Sequence, residues 1–245
     1  MPESRARIRD HMPSNPNSDG FNEESFGGIV RLFPLPGLVV FPHVVQALHV
    51  FEPRYRQMLD HAMCDDKLIA MALLNSQADY HGSPPVEDIV CIGNVVSCDK
   101  LENGCSNIIL VGQRRARIIT ETDDDNLYRS AEVKLLTDQV DESDAGLDAL
   151  GKQLLDAFER VLPRSALATA QLAMNIDDSV SLALLTDLIA YTIEIPPKKK
   201  ICLLAETNIC RRATKLIDLL DQIQPSFGGK NCGQPPTFPP DFSDN

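Results

Sequence analysis

Tryptophan is missing from all 245 residues, and phenylalanine and tyrosine together supply only 5% of them. The stacking platform on which single-stranded nucleic acid is held is therefore thin. Positive charge is also scarce. Twenty-three lysines and arginines face 35 aspartates and glutamates, a formal net charge of -12 that opposes a polyanionic partner. No apolar run approaches the roughly 18 residues of a membrane-spanning helix. Arg5, Arg7 and Arg9 have no apolar segment behind them to complete a signal peptide. No membrane association is expected, and the expected compartment is the cytoplasm.

C-x-x-C, H-E-x-x-H and G-x-S-x-G are all absent, which removes the usual zinc sites and the nucleophile elbow. Seven cysteines are an odd number scattered through a chain without a secretion signal, so they read as reduced thiols and not as a disulfide framework. Cys91, Cys98 and Cys105 are evenly spaced but read as packing residues, with a cross-strand pairing of Cys98 and Cys105 as the other option. Neither a metal nor a cofactor is expected.

What is present divides the chain into four stretches. Residues 1–25 combine Pro2, Pro13, Pro16 and Gly20 with many Ser and Asn and read as a disordered tail. Residues 225–245, with Pro235, Pro236, Pro239 and Pro240, read likewise. From 26 to 140, short β-branched runs recur between turn signals: IVRLF, LVVF, VVQALHV, LIAMALL, DIVCIGNVV, NIILVG, ARIIT and SAEVKLL. They predict a small barrel or sandwich. Asn103-Gly104 predicts a hairpin with positive φ angles, and Gly93 and Gly112 predict bulges. Pro53 opens one interposed helix with Tyr55, Met58, Leu59, Ala62 and Met63 on one face. From 141 to 224 the apolar period changes from two to 3.6. Leu147, Leu150, Leu154, Phe158 and Val161 mark one helix, and a second starts near Asp178 or Ser179 with Val180, Leu184, Leu185, Leu188 and Ile189 inside. A third follows Pro196-Pro197 with Ile201, Leu204, Ala205, Ala213, Leu216, Ile217 and Leu220.

The nearest approach to a catalytic signature is Gly146 to Lys152, one residue short of a phosphate loop. Gln153 stands where a magnesium-binding hydroxyl is needed, and the leucines between the glycines belong to a helical stripe. His43 and His49, in or beside a strand, read as packing or hydrogen-bonding residues. Acidic pairs such as Asp65-Asp66 and Asp177-Asp178 read as caps and solvated turns. Two basic clusters remain. Alternation along a strand aims Arg115 and Arg117 to one face and Arg114 to the other, while Lys198, Lys199 and Lys200 at a helix start oppose its dipole and are unfavourable there without a partner; both clusters read first as solvated surface.

Four blocks in order carry a family resemblance: FPLPGLVVFPHVVQALHVFEPRYRQMLDHAM, IGNVVSCDKLENGCSNIILVGQRRARI, YRSAEVKLL and DLIAYTIEIPPKKKICLLAETNICRRATKLIDLL. From about Phe26 to Ile223 the chain resembles the N-terminal substrate-recognition domain of the ATP-dependent Lon proteases. The resemblance implies an α+β fold, a PUA-like β-barrel with one interposed helix followed by an α-helical subdomain. His43 stands where that family often has glycine, and Lys200-Ile201 where Lys-Gln or Arg-Gln is common. The AAA+ ATPase and Ser-Lys peptidase modules of the protease find no counterpart in these residues, so the expectation is a stand-alone, non-catalytic module. It would bind unfolded or degron-bearing polypeptide, present it to a protease or chaperone machine, and self-associate weakly. Candidate polypeptide contacts are Pro36, Phe41, Pro42 and His43 at the first turn, and Phe51, Arg54 and Tyr55 at the helix start. For Phe41, Phe51 and Tyr55 the competing expectation is core packing. The alternative function is RNA binding through Arg114, Arg115 and Arg117, because PUA-like barrels also occur in RNA-modifying systems.

Overall fold

The computed structural model describes residues 21–75, 84–140, 144–161 and 180–223, leaving the expected tails outside it except for 21–25. Six strands form one sheet: β1 (Ile29–Leu35), β2 (Val45–Val50), β3 (Leu68–Leu74), β4 (Val86–Lys100), β5 (Ser106–Thr122) and β6 (Ser130–Leu136). Their order is β2-β5-β4-β3-β1-β6, and a further β5–β6 pairing closes five of them into a barrel. β5 pairs with β4 on one edge and, because it is long, with two strands on the other. Its first half pairs with β2 and its second half with β6. Helix α1 (Pro53–Cys64) lies in the crossover to β3, which runs parallel to β1. After the barrel come α2 (Asp144–Val161), α3 (Leu182–Thr192), α4 (Pro197–Ala205) and α5 (Ile209–Gln222). The fold is α+β, as expected.

Two apolar clusters divide the work. The smaller fills the barrel with Val30, Leu32, Ala70, Ala72, Val90, Ile92, Ala116 and Ala131; four alanines suit so narrow an interior. The larger lies between the barrel's outer wall and the helices, and includes Phe41, Tyr55, Met58, Ile108, Leu110, Leu154, Phe158, Ile189 and Leu216. One irregularity decides which residues join which. Between the pairs Ile92–Arg114 and Gly93–Gly112 the register shifts, leaving Gln113 as the extra residue. A one-residue bulge exchanges the two faces of a strand. Leu110 therefore faces the helices while Ala116 faces the barrel interior. Gly112 is required there, since a Cβ on it would stand 2.1 Å from the Phe41 carbonyl oxygen.

Several expected elements differ in detail. LVVF is not a strand: Val39, Val40 and Phe41 are buried in an unpaired connection. NIILVG and ARIIT are one strand, β5. The Asn103-Gly104 hairpin is present, but only Gly104 has positive φ (78°), with Leu101 N–H donating to the Cys105 carbonyl at 2.9 Å. That is a turn whose last residue is left-handed and not a two-residue turn. Cys98 stands opposite Ile108, not Cys105. The second helix starts at Leu182, its backbone capped by Ser181, while Asp178 and Ser179 lie outside the described residues. The third is two helices, because the Asn208 side chain accepts from Arg211 N–H at 2.9 Å and starts a new one. Gly146 to Lys152 lies inside α2 and is no phosphate loop.

Candidate functional site

Among the candidate residues, Phe41 and Tyr55 are buried at 0% and 5% exposure in the larger core. The Tyr55 ring sits 4.5 Å from that of Phe33, and its hydroxyl donates to the Pro34 carbonyl. Burial pushes its pKa upward. Pro42 is buried as well. These three hold the first turn and α1 in place; Phe41 and Tyr55 offer next to no surface to a partner, and Pro42 only borders a cleft. Pro36, His43, Phe51 and Arg54 are exposed. Arg54 pairs with Glu52 at 2.7 Å and covers the Tyr55 ring, and Phe51 stacks on the His49 ring at 6.0 Å. His43 adopts φ 65°, the left-handed region in which glycine is at ease. Its N–H donates to the Gly112 carbonyl, and Gly112 N–H donates to the Val44 carbonyl, so the turn is clamped onto the bulge.

The three arginines proposed for RNA go to different places. Arg114 pairs with Glu23 at 2.8 Å, Arg117 with Asp88, and Arg115 is buried on Asp187. The bulge explains the last: it turns Arg115 toward the helices. There, Arg115 and Arg212 face Asp187 and Asp138 in a buried network between barrel and helices. Arg212, with 0% exposure, donates to Thr186 Oγ1 at 2.9 Å, to both Asp138 oxygens and to the Glu206 carbonyl. Burial raises the Asp187 pKa despite both arginines, whose charges lower it. A cleft of about 230 Å³ opens beside this seam, lined by Pro42, His43, Arg114, Arg115, Asp138 and Asp187. With Glu23 also lining it, three carboxylates face two arginines, so it is no basic groove. Lys200 is not simply solvated: it donates to the Tyr191 carbonyl at the end of α3 and lies over the Tyr191 ring. Among the described residues, no group of three His, Cys, Asp or Glu is placed to hold a metal.

The surface that sequence reasoning missed is on β2. Alternation puts Val50 in the core and sends Val45, Ala47, His49 and Phe51 to the other face. Val45 and Phe51 are 60% and 48% exposed. Opposite them on β5 stand Val111, Ile109 and Asn107, beyond the bulge. Because the bulge swaps faces, this ledge continues the barrel's inner wall past its mouth. Among the described residues β2 pairs only with β5, so its outer edge has no strand partner among them. Gln46 partly guards that edge: its amide donates to the Ala47 carbonyl at 2.8 Å and accepts from the Tyr191 hydroxyl at 2.7 Å. The signal was in the sequence, as the alternation of VQALHVF, but knowing which face is free requires the partner strand.

Comparison with known proteins agrees with this architecture. Residues 29–222 match the family model of the ATP-dependent protease La (LON) substrate-binding domain. The chain belongs to that family. It is 29% identical over 192 residues to the Lon protease of Halothermothrix orenii, covering 77% of this chain and 24% of that protein. To Lon protease 1 of Bacillus subtilis it is 28% identical over 196 residues, covering 78% and 25%. The Lon-family chain thus spans about a quarter of the length of these relatives. The N-terminal domain of Mycobacterium avium complex Lon protease shares its fold, with a TM-score of 0.59 at 19% identity over 79% of this chain and 98% of that one. A Lon N-terminal domain protein from Xanthomonas campestris gives 0.57 at 21% identity, over 80% and 99%. The match ends with the last residue of α5 and contains the barrel, the seam and the ledge. No helix among the described residues is long and apolar enough to cross a membrane.

Proposed function

We propose that this Lon-family domain binds unfolded or degron-bearing polypeptide on the ledge formed by β2 and β5, without catalysis of its own, and presents it to protease or chaperone machinery in the cytoplasm. The supporting observation is the exposed Val45–Phe51 face with its apolar neighbours Ile109 and Val111, beside a strand edge that has no strand partner among the described residues. An apolar strip takes side chains of many sequences, and an edge strand takes any backbone. Together they suit a ligand without a fixed fold. Of the residues first considered, Phe51 keeps a contact role, His43 and Arg54 flank the surface, and Phe41, Pro42 and Tyr55 support it from beneath. RNA binding is the weaker reading, since Arg114, Arg115 and Arg117 each answer a carboxylate.

The test replaces exposed apolar side chains only. Val45→Asp combined with Phe51→Ser is expected to leave the melting temperature within a few degrees and to weaken binding of a reduced, carboxymethylated model polypeptide by about tenfold or more. Undiminished binding by a folded variant would remove the ledge from consideration.

A further inference from the structure

Residues 21–26, Phe-Asn-Glu-Glu-Ser-Phe, precede β1 and lie outside the family match, yet they are seated at the barrel mouth. Asn22 organises them as a turn, its Oδ1 accepting from Glu24 N–H at 3.0 Å and its carbonyl from the Ser25 hydroxyl at 3.3 Å. The turn brings the Phe21 and Phe26 rings to 5.0 Å and lays both on the cluster that lines the barrel. Arg114, on the barrel's inner face at the mouth, lies 5.7 Å over Phe21 and pairs with Glu23. The segment does not fill the site. A cleft of about 440 Å³ remains, bounded by Phe21, Phe26, Lys67, Leu68, Asn94 and Val96. Asn94 stands opposite Val111, so this cleft adjoins the proposed polypeptide ledge.

The hold on the segment is weak. Its ion pair with Arg114 is exposed on both sides, and such pairs contribute little. Gly27 and Gly28 join it to β1, with Gly28 at φ 80°, so the joint can swing without steric cost. Lys67 adds an exposed cation at the cleft, while Asp66 shares Arg31 with Asp65, at 2.7 and 2.6 Å.

We propose that residues 21–26 are an internal ligand of the mouth, and that the mouth takes acidic turn segments of other polypeptides carrying two aromatic side chains five residues apart, in competition with its own. This rests on the polypeptide-binding reading and names the preferred class of segment. The binding-competent fraction is whatever is free of the internal segment, and apparent affinity scales with that fraction. If the segment is seated nine-tenths of the time, freeing the mouth tightens binding about tenfold.

The experiment uses the full chain and a synthetic peptide spanning residues 18–28. The Phe21→Ser, Phe26→Ser double variant should bind the peptide about tenfold more tightly than the wild type, and a peptide with both phenylalanines replaced by alanine should not bind. Glu23→Arg, which spares the aromatic packing, should also tighten binding, and this second variant serves if the first is poorly folded. Adding Arg114→Glu to either variant should abolish the gain. Equal affinity of wild type and variants, or no peptide binding by any of them, overturns the proposal. If carboxymethylated polypeptide is still bound through Val45 and Phe51, the ledge reading survives that result; if it too fails to bind, both fall.

Discussion

Phe41 and Phe51 carry the same side chain ten positions apart and sit in opposite environments, one with 0% exposure and the other 48%. Phe41→Ala should cost about 3–5 kcal/mol, the range for emptying a phenylalanine site in a packed core. Phe51→Ala should stay within about 0.5 kcal/mol and reduce polypeptide binding instead. Urea denaturation of the two variants checks the first statement, and a large loss for Phe51 would move it into the core. The sequence named both residues and could not separate them, because each ends an apolar run and lies one or two residues before a proline, Pro42 or Pro53. What separates them is the bulge at Gln113 and the close approach of the first turn to Gly112. Gly112 was legible as a bulge signal; that Phe41 would be the group lying against it was not. Cys91 shows the same dependence. Burial beneath the sheet pushes its thiol up to about 12, so a residue that looked like a third of a cysteine series is an inert packing side chain.

Elements were read well where one face is apolar and the other polar, as in α1, whose predicted face contains Tyr55, Met58, Leu59 and Ala62, all buried. They were read poorly where polar groups enter the interior. Arg115, Asp187 and Arg212 come from β5, α3 and α5, and no local pattern announces that three charged residues will meet. Truncating one member of such a network leaves its partners' charges buried without compensation. Arg212→Ala is expected to cost about 3–5 kcal/mol, against at most about 1 kcal/mol for Arg117→Ala on the exposed Asp88 pair. Comparable losses in urea titrations of the two would mean that the seam is not dry. The direction of the Asp187 shift gives an independent check. Its folded pKa lies above the ordinary 3.8, with burial outweighing the arginines. The folded state then takes up a proton more readily than the unfolded one, so this group's contribution is complete below about 3.8 and is lost as pH rises through the folded pKa. Asp187→Asn has no proton to exchange. Acidification from neutral pH toward 4 should therefore improve the wild type relative to this variant, and the opposite slope in paired pH–stability curves would show that pairing with the arginines dominates.

At the scale of the whole molecule, Val30, Leu32, Ala70, Ile92 and Ala116 pack together in the barrel interior. The proposed recognition surfaces are accordingly the mouth and the ledge, where the inner wall emerges into solvent. The net charge of -12 then sorts partners by chemistry. An anionic polymer meets a repelling molecule whose candidate arginines are each occupied by a carboxylate, while an apolar segment meets Val45, Ile109, Val111 and Phe51 with little charge to screen. Salt distinguishes these routes. Binding of a carboxymethylated polypeptide should change by less than about threefold between low and high salt, because screening acts on few exposed charges at this surface. A nucleic acid held through six to ten phosphates would lose about 10³ to 10⁵ in affinity between roughly 50 and 200 mM. Measuring both titrations on one preparation decides the matter, since a steep slope for RNA with measurable affinity at low salt would require the Arg114–Glu23 and Arg117–Asp88 pairs to open, and would give the barrel a different ligand from the one its exposed face fits.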